Sequence, residues 1–599
     1  MFFRTKSIKG ASLLQLVESY RNTEGQPRQR VVVSLGDAKV PDAEKPTIAR
    51  AVENHLLGQS DLLPPDLSEE AAGWVRRILQ LAGRSKSARP VSENTIDGVI
   101  IDRVETENVV QLGPQLIALE AWKRLGMGTI LEQAGLNPSQ IATAQLLVAN
   151  RLIEPSSEWA LVDWAERTAL PEMLDLRVTK SGKDRLYRAG DALFARRKAI
   201  EAGLRASESN LFGAHGSIVL YDMTNTHFED LCKKNPKARH GKNKQKRNDC
   251  RQVAIGMAFD SRGLALAHDV FEGNIAETKT LATMLDRLAV PGTETAKPVV
   301  ILDAGFASKK NIALLKERGL GYVINITRST RARYAEEFAA GGFEAVPGRE
   351  KSPPVEVKSI TDPDDPEGTL VLCRSALRRE KEAAMLSGAE RRMLDDANAL
   401  RTRIETGKLK DPDKIERAIG RLQKKHPRAA RLYTLIHESG TLTILRDEQR
   451  HASATELLGD YVLKTERSLD AAQTWSLYMI LLQAEEGFAC LKGTLGLRPN
   501  FHQLEHRVES HIFISVLAYH LLTWVRETLR HCGDPRDWNT LRRLLSTHCL
   551  VTTVLPLNTG TVLRIRKPSQ PDAEQQHLYD KLGIDWKAAF PAIKTTTTP

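Results

Sequence analysis

Apolar and polar positions change rhythm several times along the chain, and each change marks an element. The first 40 residues alternate loosely, most clearly in RQRVVVSLGD, and predict a small β-rich element that opens a β-rich and helical unit over 1–95, with a linker at 84–97. Residues 96–215 form the next unit. From about 111 to 212, stretches such as QLIALEAWKRLG and IATAQLLVANRLI repeat apolar residues at three- and four-residue steps, which predicts helices. We expect that block to be scaffold with some contact to a partner.

A more regular block follows over 216–330. SIVLYDMTNTHFE reads as a strand, and QVAIGMAFDSRGLALAHDVFEG as two strands about a turn. An amphipathic helix at 276–289 leads to the short apolar strand KPVVILDAG, a helix stopped at Gly319 and the strand GYVINIT. The order β-β-β-α-β-α-β predicts an α/β mixed sheet with helical cover. Asp222 and Asp303 sit late in its first and fourth strands.

Regularity breaks after Thr327, and 331–465 reads as an α+β insertion. Within it a helix over about 376–406, stopped by Gly407, and a second capped by Asp411 with Pro412 at its first position predict a helical hairpin near 376–425. Helices at about 469–495 and 503–530 then supply 466–530, and 531–599 remains as a C-terminal extension. On the helix after Ala471, Tyr478, Leu481, Glu485 and Lys492 fall inside an arc of about 60°, with Glu486 turned away.

Composition narrows the partners. The 599 residues carry 86 Lys and Arg against 75 Asp and Glu, a formal charge of +11, which permits a polyanion. Nine basic residues against Asp249 fill 233–251. An aromatic content of 5% disfavours binding by base stacking on single strands. Six scattered cysteines fit a reducing compartment, and no GxxxxGK[ST] loop cradles a nucleotide phosphate. The pairs His531–Cys532 and His548–Cys549 lack zinc spacing and read as buried thiols beside surface histidines. The longest apolar stretch, about 512–525, is interrupted by Ser515 and His520 and reads as too short for a membrane span.

Several of these motifs together resemble a known family. Tyr478, Leu481, Glu485 and Lys492 match a Tyr-x2-Arg-x3-Glu-x6-Lys signature, with Leu in the Arg position. YDMTNTHFE with Asp222 and Thr224 resembles a first-Asp motif, and ILDAGFASKKNI with Asp303 and Gly305 a second-Asp motif. The run from His240, Gly241 and Lys242 through Arg247, Asp249 and Gln252 to Gly273 and Asn274 lies between them as expected. Arg498, Pro499, His502 and Arg507 match the stretch that follows. The combination is similar to DDE-type insertion-sequence transposases, in the large branch typified by insertion element number four. It extends over about 217–330 and 459–525 and is more diffuse near the N-terminus.

That resemblance implies a ribonuclease-H-like mixed sheet split by the insertion. It implies a triad of Asp222, Asp303 and Glu485 holding two Mg2+ ions, with Mn2+ able to substitute, for DNA cleavage and strand transfer. Tyr478, Lys492, Lys242, Arg247, Arg498 and Arg507 become candidate DNA contacts; for Tyr478 a place in the core is an equal alternative. The implied partners are double-stranded DNA (terminal inverted repeats and target) and a second copy in a synaptic homodimer. The implied setting is the cytoplasm at the nucleoid, with no membrane. Leu481 leaves two readings open: another cation, Arg498 or Arg507, takes the place of Arg, or activity is impaired. The alternatives are a non-catalytic DNA-binding relic of a transposase and a structure-selective nuclease on the same fold.

Overall fold

The computed structural model describes residues 1–8, 11–21, 26–57, 67–84, 94–213, 218–241, 247, 249–288, 298–348, 352–466 and 469–597. Most of the expected linker at 84–97 lies outside that set, as does Lys242. The chain divides into two compact units: Met1–Glu105 with Thr553–Arg564 and Thr595–Pro599, and Thr106–Thr552 with Ile565–Lys594.

The first unit contains an antiparallel sheet of β1 (Phe2–Ile8), β2 (Ala11–Arg21) and β3 (Pro27–Ser34), with helices α1 (Lys45–Leu57) and α2 (Glu69–Arg84). Leu14 and Leu16 of β2 share a face and close a small core with Val33, Ile48, Val52 and Ile78.

In the second unit, helices α3 (Gly113–Arg124), α4 (Pro138–Ile153), α5 (Lys183–Ala195) and α6 (Arg197–Phe212) precede the large sheet. Asn137 starts α4 with a capping box, its side chain accepting from the Gln140 amide while the Gln140 side chain accepts from the Asn137 amide. The strands and helices expected next are present: β4 (Ile218–His227), β5 (Gln252–Phe259), β6 (Ala265–Glu272), α7 (Leu281–Leu288), β7 (Val299–Leu302), α8 (Lys309–Glu317) and β8 (Gly321–Asn325). β4, β5 and β6 form an antiparallel meander, while β7 runs parallel to both β4 and β8. Every residue of β5, β7 and β8 is buried, as strands covered on both faces require.

The sheet continues beyond this block. β9 (Glu344–Val346), β10 (Val355–Asp362), β11 (Asp365–Ser375) and, after a long excursion, β14 (Asp460–Thr465) extend it to nine strands among the described residues. The order is β9-β10-β11-β14-β8-β7-β4-β5-β6. The excursion holds α9 (Ala376–Glu405), α10 (Pro412–Lys425) and the hairpin β12 (Tyr433–Glu438) and β13 (Thr441–Arg446). So the segment expected as an insertion donates strands to the main sheet at both its ends, where Tyr334, Phe338, Leu370, Leu372 and Val462 close one small core, and its middle has another. That core gathers Met393, Ala397 and Leu400 of α9, Ile415, Ile419 and Leu422 of α10, and Leu442 of β13.

The single helix expected at 469–495 is bent into α11 (Ala471–Met479) and α12 (Leu482–Lys492). Around Ile480 and Leu481 the backbone stays helical but tightens to three-residue hydrogen bonds, Leu481 N to Tyr478 O at 3.0 Å and Ala484 N to Leu481 O at 3.0 Å. α11 packs on β8, β10, β11 and β14, and α12 on β4 and β5.

α13 (Glu505–His531) is long and apolar enough to cross a membrane by length and composition, against the shorter reading of its sequence, but its whole apolar window is buried in the protein. The residues that interrupt the run are accommodated inside: His520 Nδ1 lies 2.7 Å from Glu208 Oε1, and Ser515 donates to the His511 carbonyl at 3.1 Å. α3, α4, α5 and α12 surround it, so helical block and sheet share one continuous core. The His–Cys pairs match expectation only in part: His531 is exposed, as read. His548 is buried against the Tyr579 hydroxyl at 2.6 Å while Cys532 is exposed, because His548 has a hydrogen-bond partner inside and Cys532 ends α13 at the surface.

Candidate functional site

Strand register brings the first two carboxylates together. Tyr221 of β4 pairs with Leu302 of β7 in the parallel ladder, so Asp222 and Asp303 are the next residues on adjacent strands. β7 ends at Leu302 and Asp303 opens a short 3-10 turn, its carbonyl accepting from the Phe306 amide at 3.0 Å. That turn frees the Asp303 side chain from the ladder and leaves it exposed. The Asp222 carboxylate accepts from the Met223 amide at 2.7 Å.

α12 supplies the third acid. Glu485 is exposed and lines a cleft of about 490 Å³ with Asp222, Phe488, Lys492 and Arg498. The adjacent Glu486 points elsewhere and pairs with Arg526 of α13 at 3.4 Å. Close approach of α12 to the sheet requires Gly487: a Cβ there would lie 2.9 Å from both the Phe259 ring and the Tyr519 hydroxyl. The Tyr519 hydroxyl is itself fixed, donating to the Gly263 carbonyl at 2.7 Å.

Asp303 opens to a neighbouring pocket of about 230 Å³, lined also by Asn325, Arg331, Arg378, Asp460 and Tyr461. Tyr478 of α11 lies beside Asn325 of that pocket. Its hydroxyl accepts from Asn325 Nδ2 at 3.0 Å, and its ring is packed against the core. Burial pushes its phenol well above the ordinary range, with the Asp303 carboxylate adding to the shift and the Asn325 hydrogen bond opposing it. The bend at Leu481 therefore ends the common arc read from the sequence. Glu485 and Lys492 share a cleft, Tyr478 is bonded to β8, and Leu481 is 8% exposed inside the core.

The remaining candidates are dispersed. Arg247 is paired with Asp249 through its Nε at 3.1 Å, and this pair holds the Asp249 carboxyl down to about 2. Arg507 reaches Asp191 at 3.0 Å and lies 4.8 Å from the centre of the Tyr187 ring. The motif glycines Gly241 and Gly273 pack backbone to backbone: a Cβ on Gly241 would lie 2.0 Å from the Gly273 carbonyl oxygen.

Among the described residues no three His, Cys, Asp or Glu side chains converge into a metal-sized group. The donor chemistry of Asp222, Asp303 and Glu485 nevertheless fits a hard divalent cation. All three are carboxylates, Asp222 in the middle of β4, Asp303 just past the end of neighbouring β7 and Glu485 across the cleft, with no thiol or imidazole beside them in either lining.

Comparison with known families accounts for this arrangement. The transposase DDE domain matches residues 214–521, just over half of the chain and the stretch that contains all three acids. The chain belongs to the DDE transposases. A second match, the IS1634 family transposase N-terminal domain, covers residues 3–60 and makes this an insertion-sequence transposase. No curated protein matches the chain. One solved structure similar to the transposase is a cryo-EM structure of a piggyBac transposase synaptic complex with hairpin DNA. It is 11% identical, covers 69% of this chain and 70% of that one, and has a TM-score of 0.34, too low to carry an argument.

DDE transposase domains in general use divalent metal ions. Sequence reasoning passed over Arg331, Arg378 and Asn325, which line the pocket at Asp303. The signal for Asn325 was its place at the end of β8. Arg331 lay where the pattern breaks after Thr327, and Arg378 at the start of a helix whose charged residues gave no separate signal.

Proposed function

We propose that the transposase binds the terminal inverted repeats of its own element, cuts the DNA at the element ends and joins the 3′ ends to target DNA. The observation that carries this reading is the register of Asp222 and Asp303 on adjacent parallel strands, with Glu485 facing Asp222 across one cleft. The strand order β6-β5-β4-β7-β8, three antiparallel then two parallel, supports a ribonuclease-H-like core. In this proposal 216–330 and 466–530 form that core, and 331–465 is its insertion, with the α9–α10 hairpin as its body. The flanking units are 1–95, 96–215 and 531–599.

Asp222, Asp303 and Glu485 would hold two Mg2+ ions, with Mn2+ as substitute. When bound, such ions activate an attacking oxygen and stabilise the departing 3′ oxygen of a phosphodiester. The chain's own cations do the rest. Lys492 and Arg498 line the cleft with Asp222 and Glu485 and offset phosphate charge there, Lys492 as a point charge and Arg498 as a fork. Of the two residues considered as stand-ins for the Arg missing at 481, Arg498 shares the cleft, whereas Arg507 is engaged with Asp191. In this proposal Lys242, Arg247 and Arg507 are further DNA contacts, and Tyr478, packed against the core with its hydroxyl on Asn325, takes the core place considered for it. Pairing two element ends calls for a homodimer in the synaptic complex, at the nucleoid.

The deciding experiment is cleavage of a duplex carrying the terminal inverted repeat, with Mg2+, by wild type and by Asp303→Asn. Wild type cuts and joins; the variant binds with similar affinity and does not cut. Cutting that survives the substitution overturns the triad. Cutting without joining moves the reading to a nuclease, and specific binding without cutting moves it to a non-catalytic DNA-binding protein.

A further inference from the structure

The position where the signature carries Arg holds Leu481, which is 8% exposed and packed in the main core, so no phosphate can be gripped from there. Cations are instead concentrated on the other side of Asp303. Arg378, in the first turn of α9, and Arg331, just beyond β8, both line the pocket into which Asp303 opens. They converge on Glu382, which is buried: Arg378 Nε lies 3.0 Å from Glu382 Oε1 and Arg331 Nη1 3.5 Å from Oε2.

One carboxylate between two guanidiniums leaves positive charge over, and the surroundings do not remove it. Asp460 is matched first by Arg374, whose Nε lies 3.6 Å from its Oδ1, and then by Arg379 and Arg331. Arg428, like Arg378, repels the Arg331 charge, whereas Asp460 attracts it. Among the described residues, Arg331, Arg374, Arg378, Arg379 and Arg428 thus outnumber the carboxylates beside them, Glu382, Asp460 and Glu356, the last 3.6 Å from Arg374 Nη1, with Asp303 at the pocket itself. Burial, and then the repulsion of Arg378, pull the Arg331 guanidinium below its ordinary range. Crowded like charges of this kind are relieved by an anion.

A second, independent feature is Asn325, 6% exposed, whose Oδ1 has no hydrogen-bond partner while its Nδ2 donates to Tyr478. A phenol both donates and accepts, so the amide satisfies Tyr478 equally well turned over. Turned over, it presents Nδ2 to the pocket as a free donor beside the arginines.

We propose that Arg331, Arg378 and Asn325 form a phosphate subsite that holds a DNA backbone phosphate next to the one cut at Asp303, doing from α9 and the end of β8 what Leu481 cannot. Arg378 is the principal ligand, since its side chain is 31% exposed against 14% for Arg331. The subsite rests on the DNA reading above, and its test separates the two.

End-duplex binding and Mg2+-dependent cutting are measured over a range of salt for wild type, Arg378→Gln and Arg378→Lys, with thermal melting of each free protein. Gln keeps a hydrogen bond to Glu382 but loses the charge. It is expected to lower the slope of log K against log salt by about 0.9 and to reduce cutting about tenfold or more. Lys restores the slope but not the full cutting rate, because it lacks the fork. A folded Arg378→Gln protein with wild-type slope and cutting overturns the subsite. Failure of wild type to bind or cut the end duplex instead overturns the DNA reading.

Should Arg378→Gln not fold, Thr327→Cys decides. Thr327 is exposed and lines the same pocket. A duplex with a thiol-reactive bromoacetyl group on the phosphate adjacent to the cut is expected to label this variant above the wild-type background. Labelling no greater than wild type overturns the subsite.

Discussion

Glu485 and Glu486 are neighbours on one helix with the same chemistry, and the structure gives them opposite surroundings. Glu485 faces Asp222, Lys492 and Arg498, while Glu486 faces Arg526. The Arg526 pair is surface-exposed, with side chains 38% and 50% exposed, so losing it costs about 0–1 kcal/mol. Glu486→Gln is therefore expected to cut end DNA at close to the wild-type rate, and Glu485→Gln not to cut at all, both melting within a few degrees of wild type. Equal activities would remove Glu485 from the proposed triad. This choice of acid was legible in the sequence, because helical spacing alone separates the two side chains. The role of Leu481 was not, since whether it meets water or core depends on the bend and on α13, which lies well downstream.

At the scale of elements, the block from β4 to β8 was readable because buried parallel strands are continuous apolar runs and their helices carry a clear stripe. β10 was not, because only one face is covered: its buried residues alternate with exposed ones, and proline and acid surround it. Its partner β11 is joined across the sheet to β14, nearly a hundred residues later, a pairing no local pattern encodes. The α9–α10 hairpin was legible at both ends. Gly407 ends α9 at φ +71°, and Asp411 caps α10 by accepting from the Asp413 and Lys414 amides at 3.0 and 3.2 Å. Because the hairpin has a core of its own, Asp411→Ala is expected to act locally. It should destabilise α10 by about 0.5–2 kcal/mol. Hydrogen exchange should quicken over 412–425 while β4 to β8 keep wild-type protection. Faster exchange in the sheet as well would mean that the hairpin and sheet unfold together.

At the scale of the molecule, the +11 formal charge overstates what DNA can use. The run 233–251 supplies nine cations, but Lys237 is already placed between Glu505, at 3.1 Å, and Glu509. Arg247 is held by Asp249 in a forked pair, with Glu229 a further 3.7 Å contact. The Asp249 carboxyl sits at about 2, lowered first by the Arg247 hydrogen bond and then by Cys250, so it is charged at any working pH. A phosphate that reaches Arg247 therefore meets a pair that is nearly neutral. Removing the acid should release the cation: Asp249→Asn is expected to tighten end-DNA binding and steepen the salt slope by up to about 0.9. The same titration with a chelator in place of Mg2+ should leave binding largely intact and abolish cutting, because the run neutralises phosphate without a metal whereas the carboxylates need one. Unchanged affinity for Asp249→Asn would mean that Arg247 does not face the DNA. Binding lost with the chelator would mean that the metal, and not the basic run, carries the affinity.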